Sequence, residues 1–169
     1  MLQIYTGSGK GKTTAALGLA LRALGHGQRI FLIQFLKKSS KSGELKAARQ
    51  FKKFKILQVG PRAWVRRGQL RLKDKLAAKQ ALAAAQRAIE SKKCDLLILD
   101  ELNVALDYGL VKIEQVKKIL KNKPKLPEII ITGRGTHPEL IKRADLISEI
   151  RGLKHYYKKG IAARKGIEY

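Results

Sequence analysis

A glycine-rich turn between an apolar run and an Ala/Leu-rich segment carries the clearest chemistry of this chain. Residues 3–24 read QIYTGSGKGKTTAALGLALRAL. Glycines let backbone N–H groups close around anionic oxygens, and the amino end of a following helix adds its positive dipole. Lys12 would reach the outer phosphates of a nucleotide, and the Thr13 hydroxyl would meet a nucleotide-bound Mg²⁺. We therefore predict a phosphate-binding loop made by Thr6, Gly7, Ser8, Gly9, Lys10, Gly11, Lys12, Thr13 and Thr14.

This loop differs from the common pattern at one position. The general spacing has glycine five residues before Gly11, whereas this chain has Thr6 there and carries Gly7 and Gly9 instead. The alternative is a Gly/Ser/Lys turn that binds nothing. The order of strand, loop and helix favours the phosphate loop, because that is the context in which the motif works.

A second group of reactive residues lies in DLLILDELNVALDYG, residues 95–109. Four apolar residues place Asp100 and Glu101 at the carboxyl end of a predicted strand, where ligands bind in open α/β sheets. One carboxylate there can hold Mg²⁺ directly or through water, while its neighbour positions water or a substrate hydroxyl. The alternative is an acidic pair that caps the next helix. Together with the phosphate loop, the pair predicts a phosphate-and-magnesium site.

A third candidate is Arg134 in IIITGRGTHPEL, residues 129–140. Glycines on both sides let this guanidinium approach a phosphate closely and bidentately. The same residues also read as a turn before a helix, with Thr136 as N-cap, Pro138 in the first turn and Glu139 at the third helical position. Both interpretations can hold, and we expect a phosphate contact from Arg134.

The elements that must position these groups alternate along the chain. Apolar, β-branched runs predict strands at 2–5, 29–35, 55–59, 95–99, 128–132 and 146–150, the third and last being weaker. Helical patterns lie near 12–24, 43–54, 72–91, 112–122 and 137–144. The third helix has an inward stripe of Ala78, Leu82, Ala85 and Ile89. This alternation predicts an α/β fold with a mostly parallel sheet of about six strands, helices on both faces and a RecA-like P-loop architecture.

Length and composition limit the remaining possibilities. With 169 residues the chain suits one domain, in which we expect the tail 152–169 to pack over an edge. The single cysteine, Cys94, excludes an internal disulfide and is expected to be an inert packing residue in a reducing compartment. No apolar run approaches the roughly 20 residues that span a bilayer, and no signal peptide is recognisable. We expect a cytoplasmic protein without a membrane contact.

The net charge of +24 is unevenly distributed. Residues 1–73 hold 17 Lys and Arg against one acid, Glu44, and the segment 37–73 is the densest part. Such a surface attracts nucleotides, acidic proteins or nucleic acid. The alternative, which we favour, is a solvated lysine coat over aromatics that pack inward, since Leu45, Ala48, Phe51 and Phe54 share one helical face. Nucleic acid is thus possible but not favoured.

Three classes of phosphate-binding protein, namely GTPases, nucleoside kinases and RecA-like ATPases, fit these motifs to different degrees. A GTPase would need Asn-Lys-x-Asp, and the nearest run, residues 122–125, lacks the acid. A nucleoside kinase would need an arginine-bearing lid, for which Arg62, Arg66 and Arg67 are loose substitutes. A RecA-like ATPase, or a nucleotide-gated module that binds nucleic acid through segment 37–73, remains the alternative.

The whole chain resembles the P-loop family of ATP:corrinoid adenosyltransferases, which act on cob(I)yrinic acid a,c-diamide. The matching runs, in order, are YTGSGKGKTTAALGLALRALGHG, LDELNVALDYGL, ITGRG, ADLISEI and the ending KGIEY. The phosphate loop is shared with many NTPases, but its combination with DELNVALDYG and GIEY is specific. The family's own glycine pattern also has a residue other than glycine where this chain has Thr6.

The resemblance implies that the Co(I) of a reduced corrinoid attacks the 5′-carbon of ATP and that triphosphate leaves. It implies catalytic roles for Lys12, Arg134 and Glu101, with Mg²⁺ or Mn²⁺ held by Thr13 and Glu101 and with Asp100 acting through water. It implies an ATP that lies reversed relative to ordinary P-loop enzymes, and a homodimer. Such chemistry needs charge stabilisation and in-line placement rather than a general base.

Two further expectations concern the corrinoid and the electron donor. Family members place aromatics near the corrin ring before the third helix; here Trp64 is the candidate corrinoid contact, with ordinary packing as its alternative role. A flavodoxin-like or other acidic reductase is a plausible partner for the basic segment. Whether the physiological acceptor is cobalamin or an incomplete corrinoid is left open by these residues.

Overall fold

The computed structural model describes residues 1–37, 42–60, 71–121 and 127–168. In chain order these residues form β1 Leu2–Thr6, α1 Lys12–Gly25, β2 Ile30–Phe35, α2 Gly43–Ala48, β3 Phe54–Val59, α3 Leu72–Glu90, β4 Leu96–Asp100, α4 Leu102–Asp107, α5 Ile113–Ile119, β5 Glu128–Thr132, α6 Pro138–Arg143, β6 Leu146–Glu149 and a short 3-10 helix at Tyr156–Lys159.

The six strands form one sheet in the order β3-β2-β4-β5-β1-β6, and every neighbouring pair is parallel. Strand β5 therefore lies between β1, which precedes the phosphate loop, and β4, which carries the acidic pair. The predicted α/β fold with a RecA-like P-loop architecture is confirmed.

The core lies on both faces of the sheet, because side chains alternate along each buried strand. Leu96 and Ile98 of β4 pack with α1 on one face, and Leu97 and Leu99 pack with α3 on the other. Both helices use alanines for this contact, which brings helix and sheet close together. The predicted inward stripe of α3 is confirmed: its alanines and Leu82 are buried, and Ile89 packs against the same cluster.

Two local predictions were wrong, and one helix was not predicted. The predicted helix 43–54 ends at Ala48, so Phe51 is largely exposed and Phe54 begins β3. The short helix α4 after the acidic pair was not predicted. The N-cap of α6 is His137, whose Nδ1 accepts the Glu139 amide N–H at 3.2 Å, while Thr136 lies one residue earlier. Within the described residues, no helix combines the length and hydropathy needed to cross a bilayer.

Parallel pairing brings the carboxyl ends of all strands to one edge of the sheet, which we call the carboxyl edge. The loops after β1, β4 and β5 meet there because these strands are close neighbours. The opposite, amino edge carries the basic residues that precede and begin β3, Lys52, Lys53 and Lys55.

The phosphate loop packs directly on the chain that follows β6. The Gly9 N–H donates to the Ile150 carbonyl at 2.8 Å, and the Ile150 N–H donates to the Thr6 carbonyl at 2.9 Å. A Cβ on Gly7 would overlap the Ile150 carbonyl oxygen, and the φ of Gly7 is +100°. Glycine at position 7 is therefore required by this close approach.

We expect Gly7→Ala to lower the free energy of unfolding by about 2 kcal/mol or more, because it combines backbone overlap with a strained φ. The matched control is Gly18→Ala in α1, where an added Cβ meets nothing within 4 Å. That change should stabilise the protein by about 0.5–1 kcal/mol. Urea unfolding of both variants measures the difference, and a Gly7→Ala protein as stable as wild type would contradict the packing argument.

Candidate functional site

Lys12 lies inside the phosphate loop at the first residue of α1. Its ammonium donates to the Gly7 carbonyl at 2.8 Å and to the Gly9 carbonyl at 2.7 Å, and the side chain is buried. Burial lowers the pKa of Lys12, while the nearby Glu101 carboxylate acts in the opposite direction. A buried cation surrounded by loop backbone is suited to holding a polyanion.

The buried Asp100 carboxylate joins four elements at the carboxyl edge. Its Oδ1 accepts the Thr13 hydroxyl at 2.8 Å and the Thr132 hydroxyl at 2.7 Å. Its Oδ2 accepts Gln34 Nε2 at 3.0 Å, and Gln58 in turn donates to Gln34 at 2.8 Å. Asp100 thus fixes the start of α1 relative to β2, β4 and β5.

Glu101 follows in a left-handed backbone conformation with φ of +61°. Its N–H donates to the Thr132 hydroxyl at 3.0 Å, and no described residue donates a hydrogen bond to its carboxylate. Burial raises the pKa of Glu101, and the neighbouring Asp100 charge raises it further, whereas Lys12 and Arg134 lower it. A strained backbone that presents such a carboxylate is typical of a functional position.

The loop after β5 brings Arg134 to the same place. Arg134 is exposed, and its charge acts on both Lys12 and Glu101. The buried Asn103 of α4 supports this loop, since its Nδ2 donates to the Gly133 carbonyl at 3.1 Å and to the Thr136 hydroxyl at 3.0 Å. The structure therefore brings Lys12, Thr13, Asp100, Glu101 and Arg134 together.

The oxygen atoms at this edge fit a magnesium ion chemically. Thr13, Asp100 and Glu101 supply hydroxyl and carboxylate oxygens, which are the ligands that Mg²⁺ prefers. Within the described ranges, no three His, Cys, Asp or Glu side chains gather as a complete metal-binding group. A magnesium ion here would therefore take its remaining ligands from phosphate and water, as in many nucleotide enzymes.

Lys10 has a different environment from the one expected for a phosphate ligand. Its ammonium donates to the Tyr156 hydroxyl at 2.5 Å, to Glu168 Oε1 at 2.7 Å and to the Ile167 carbonyl at 3.3 Å. The C-terminal tail therefore contacts the phosphate loop itself, and not merely an edge of the sheet. The remaining predicted residues, Ser8, Gly9 and Gly11, lie between β1 and α1, and Thr14 lies in the first turn of α1.

Other candidates lie away from this edge or outside the described residues. Trp64, proposed as a corrinoid contact, falls in 61–70, which the structure does not describe. Cys94 is buried, and burial raises the pKa of its thiol to about 11, so it stays protonated at neutral pH. This agrees with an inert packing residue.

The basic segment 37–73 does not form one surface in its described part. Lys37 follows β2 at the carboxyl edge, pairs with Glu44 at 3.1 Å and lowers the pKa of Glu101. At the opposite edge, a cavity of about 820 Å³ is lined by basic side chains, including Lys52, Lys53, Lys55, Arg87 and Lys93. Only part of the positive charge can therefore act on a ligand at the phosphate loop.

Comparison with known proteins places this site in context. All 169 residues match the family described as ATP:corrinoid adenosyltransferase BtuR/CobO/CobP.

The chain belongs to this family.

Its relatives include the corrinoid adenosyltransferase of Pseudomonas aeruginosa, 34% identical over 169 residues, which are 100% of this chain and 83% of that protein. The corrinoid adenosyltransferase of Escherichia coli K12 is 35% identical over 98% of this chain and 84% of its own length. The corrinoid adenosyltransferase CobA of Salmonella typhimurium shows the same identity and coverage. The expected family is confirmed, and with it an enzyme of the alkyl-transferring class.

Three residues at this edge of the sheet were not predicted: Gln34, Lys37 and Asn103. The polar strand end that carries Thr132 was expected at this edge, but no contact was assigned to Thr132. Asn103 and Thr132 lie within the quoted runs DELN and ITGRG, so their position beside the acidic pair was a usable signal. Gln34 is a polar residue in an otherwise apolar strand, which is a common sign of a buried hydrogen bond. Lys37 carries no distinguishing signal among so many lysines.

The raised pKa of Glu101 predicts how stability depends on pH. The folded protein holds the Glu101 proton more tightly than the unfolded chain does, so ionisation costs stability as pH rises above the ordinary value of 4.5. Glu101→Gln cannot ionise. It should be more stable than wild type at about pH 7.5, and the difference should shrink near pH 4.

Glu139→Gln is the control for this prediction. A hydrogen bond from Lys117 lowers the pKa of Glu139, so its charged form is favoured in the folded protein. Its amide variant should therefore change stability at neutral pH in the opposite direction. Thermal unfolding of wild type, Glu101→Gln and Glu139→Gln at about pH 4 and pH 7.5 measures these differences. A Glu101→Gln protein less stable than wild type at neutral pH would contradict the prediction.

Proposed function

We propose that this single-domain protein transfers the 5′-deoxyadenosyl group of ATP to the Co(I) of a corrinoid and releases triphosphate. The observation that carries the proposal is the convergence of Lys12, Glu101 and Arg134, each from a different loop, at one edge of the sheet. Family membership supports ATP and a corrinoid as the substrates.

The bond changes explain which groups this reaction needs. The cobalt electron pair forms a Co–C bond to the 5′-carbon, the C–O bond to the α-phosphate breaks, and its electrons leave on the triphosphate oxygen. Co(I) is thereby formally oxidised to Co(III). No proton moves at the reacting centre, so the enzyme needs no general base, and its task is to stabilise the departing charge and to align the partners.

The protein's own charges fit this task. Lys12 would contact the phosphates from within the loop, together with the loop N–H groups that are not already bonded, and Arg134, exposed between two glycines, could reach the phosphates from the loop after β5. Thr13 and Glu101 would hold Mg²⁺ or Mn²⁺, and Asp100 would fix Thr13 and act on the metal through water. When bound, the metal would neutralise charge on the triphosphate.

We expect Lys12→Ala and Arg134→Ala each to lower turnover by about tens- to thousands-fold, because each removes a main charge from the leaving group. The assay combines ATP, Mg²⁺ and chemically reduced cobalamin, follows the visible spectrum and identifies the phosphate product. Arg22→Ala at the far end of α1 and Lys142→Ala in α6 are the matched controls and should retain wild-type rates.

Wild-type rates in both site variants would remove the assigned roles. Orthophosphate and ADP as the sole products, with or without nucleic acid, would overturn the proposed reaction in favour of an ATPase. Triphosphate released in step with the Co–C product would support the transfer.

An acidic reductase that supplies Co(I) should dock at the carboxyl edge, where cobalt must meet ATP. The exposed Lys154 lies in a cavity wall beside Lys10, whereas Lys52 lies at the amino edge. Charge complementarity mainly affects the rate of association and weakens with salt.

We expect Lys154→Glu to slow reductase-coupled turnover by about two- to tenfold at low salt, and Lys52→Glu to leave it unchanged. Each rate is divided by the rate with chemically reduced cobalamin, which removes any effect on the transfer itself. Equal effects of the two variants, or rates that do not respond to salt, would contradict docking at this edge.

We also propose the homodimer implied by family resemblance, which light scattering in solution would test.

A further inference from the structure

The ammonium of Lys10 has no hydrogen left for a phosphate in this structure. An ammonium has three donors. Lys10 directs them to the Tyr156 hydroxyl, the Glu168 carboxylate and the Ile167 carbonyl, all of which belong to the C-terminal tail. Any phosphate oxygen that binds Lys10 must therefore displace an acceptor of the tail.

The Glu168 carboxylate is the strongest of these acceptors. Besides Lys10, it accepts the Tyr156 hydroxyl, the Arg164 guanidinium at 3.3 Å and the Arg164 backbone N–H at 2.7 Å. These donors lower the pKa of Glu168, so the group is an anion at neutral pH. The side chain of Glu168 is only 17% exposed. Lys10, Tyr156 and Arg164 thus form an anion-binding cluster that the chain fills with its own carboxylate.

This cluster adjoins the phosphate loop and an open space. Lys10 is two residues before Lys12, and the aromatic ring of Tyr156 lies 5.2 Å from the Lys10 ammonium and 4.8 Å from the Arg164 guanidinium. A cavity of about 350 Å³ next to it is lined by Lys10, Tyr156 and the basic residues Arg151 and Lys154. A polyphosphate that extends past Lys12 would reach this cluster at Lys10.

We propose that Glu168 is a positioning residue that competes with the polyphosphate for Lys10, so that the C-terminal tail is a latch on the phosphate loop. The latch is closed when the carboxylate holds Lys10, and it opens when a phosphate takes the carboxylate's place. Return of Glu168 to Lys10 helps to expel the triphosphate after transfer. The inference rests on the proposed function, because it takes the polyphosphate as the competing anion.

The first test measures binding of inorganic tripolyphosphate by calorimetry, without corrinoid or ATP. Glu168→Gln removes the competing charge and should bind tripolyphosphate about two- to tenfold more tightly than wild type, the range expected for a partly exposed charged pair. Glu149→Gln is the matched control. Glu149 pairs with Arg151 at 2.7 Å on the same stretch of chain but does not contact Lys10.

The control separates competition from general electrostatics. Loss of a negative charge anywhere near the loop favours an anion slightly, and both variants share that effect. Glu168→Gln should increase the affinity for tripolyphosphate beyond this shared effect, and Glu149→Gln should not. Equal affinities in Glu168→Gln and Glu149→Gln, or weaker binding in Glu168→Gln, would overturn the latch.

A double-mutant cycle tests whether the effect passes through Lys10. In a Lys10→Ala background, Glu168→Gln should increase affinity for tripolyphosphate no more than Glu149→Gln does, because the contested donor is absent. Tyr156→Phe removes one acceptor and leaves the carboxylate, so it should change affinity in the same direction but less. An undiminished effect of Glu168→Gln in the Lys10→Ala protein would contradict the proposed route.

The Arg164 amide gives a direct readout of the tail in the wild-type protein. Its N–H donates to Glu168, so hydrogen–deuterium exchange there should accelerate when tripolyphosphate displaces the carboxylate. Slower exchange on binding would mean that the tail closes over the ligand, and unchanged exchange would mean that it stays in place. Either result would overturn the proposal.

The outcomes also distinguish this inference from the proposed function. Tripolyphosphate that fails to bind wild type, Glu168→Gln and Glu149→Gln alike would count against the phosphate loop itself. Tight binding that is insensitive to Glu168 would leave the transfer reaction intact and remove only the latch. Normal thermal unfolding of Glu168→Gln establishes that the variant is folded.

Discussion

The Asp100 carboxylate is the interaction on which the site's geometry depends. Three side chains from three elements, Thr13, Thr132 and Gln34, donate to its two oxygens. Because the group is buried, each of these hydrogen bonds is costly to lose, and together they hold the start of α1 against β2, β4 and β5. The position of Lys12 in the cradle, next to Thr13, follows from this junction.

The order of the strands also determines how far apart the loops of the site lie. With β5 between β1 and β4, the phosphate loop and the acidic pair are two strands apart, and the loop with Arg134 fills the interval. Gly133 makes this possible, since an added Cβ would lie 3.2 Å from Glu101 Oε2 and 3.0 Å from Asn103 Cβ. The absence of a side chain at position 133 therefore lets the loop with Arg134 lie against Glu101 and Asn103.

Much of this arrangement could be predicted from the sequence, and the reasons for the failures are physical. Buried parallel strands leave continuous apolar runs, so the sheet and the polar residues at its carboxyl edge were predictable. The helix α4 was not, because it starts only after Glu101 adopts a left-handed backbone that its residue type does not favour. The partner of Lys10 was equally inaccessible: Glu168 lies 158 residues away and has no periodic pattern to place it. Whether the assigned residues perform the proposed roles remains a prediction.

The position of β1 has a consequence for biosynthesis. Among the described strands, β1 hydrogen-bonds to β5 and β6, which follow it by more than 120 residues in the sequence. Its apolar residues therefore have no sheet partner until residues 128–149 have been synthesised, and strands without a partner are prone to aggregate. Long-range closure of this kind also slows folding. During synthesis, β1 therefore stays without a hydrogen-bonded neighbour at least until β5 has left the ribosome.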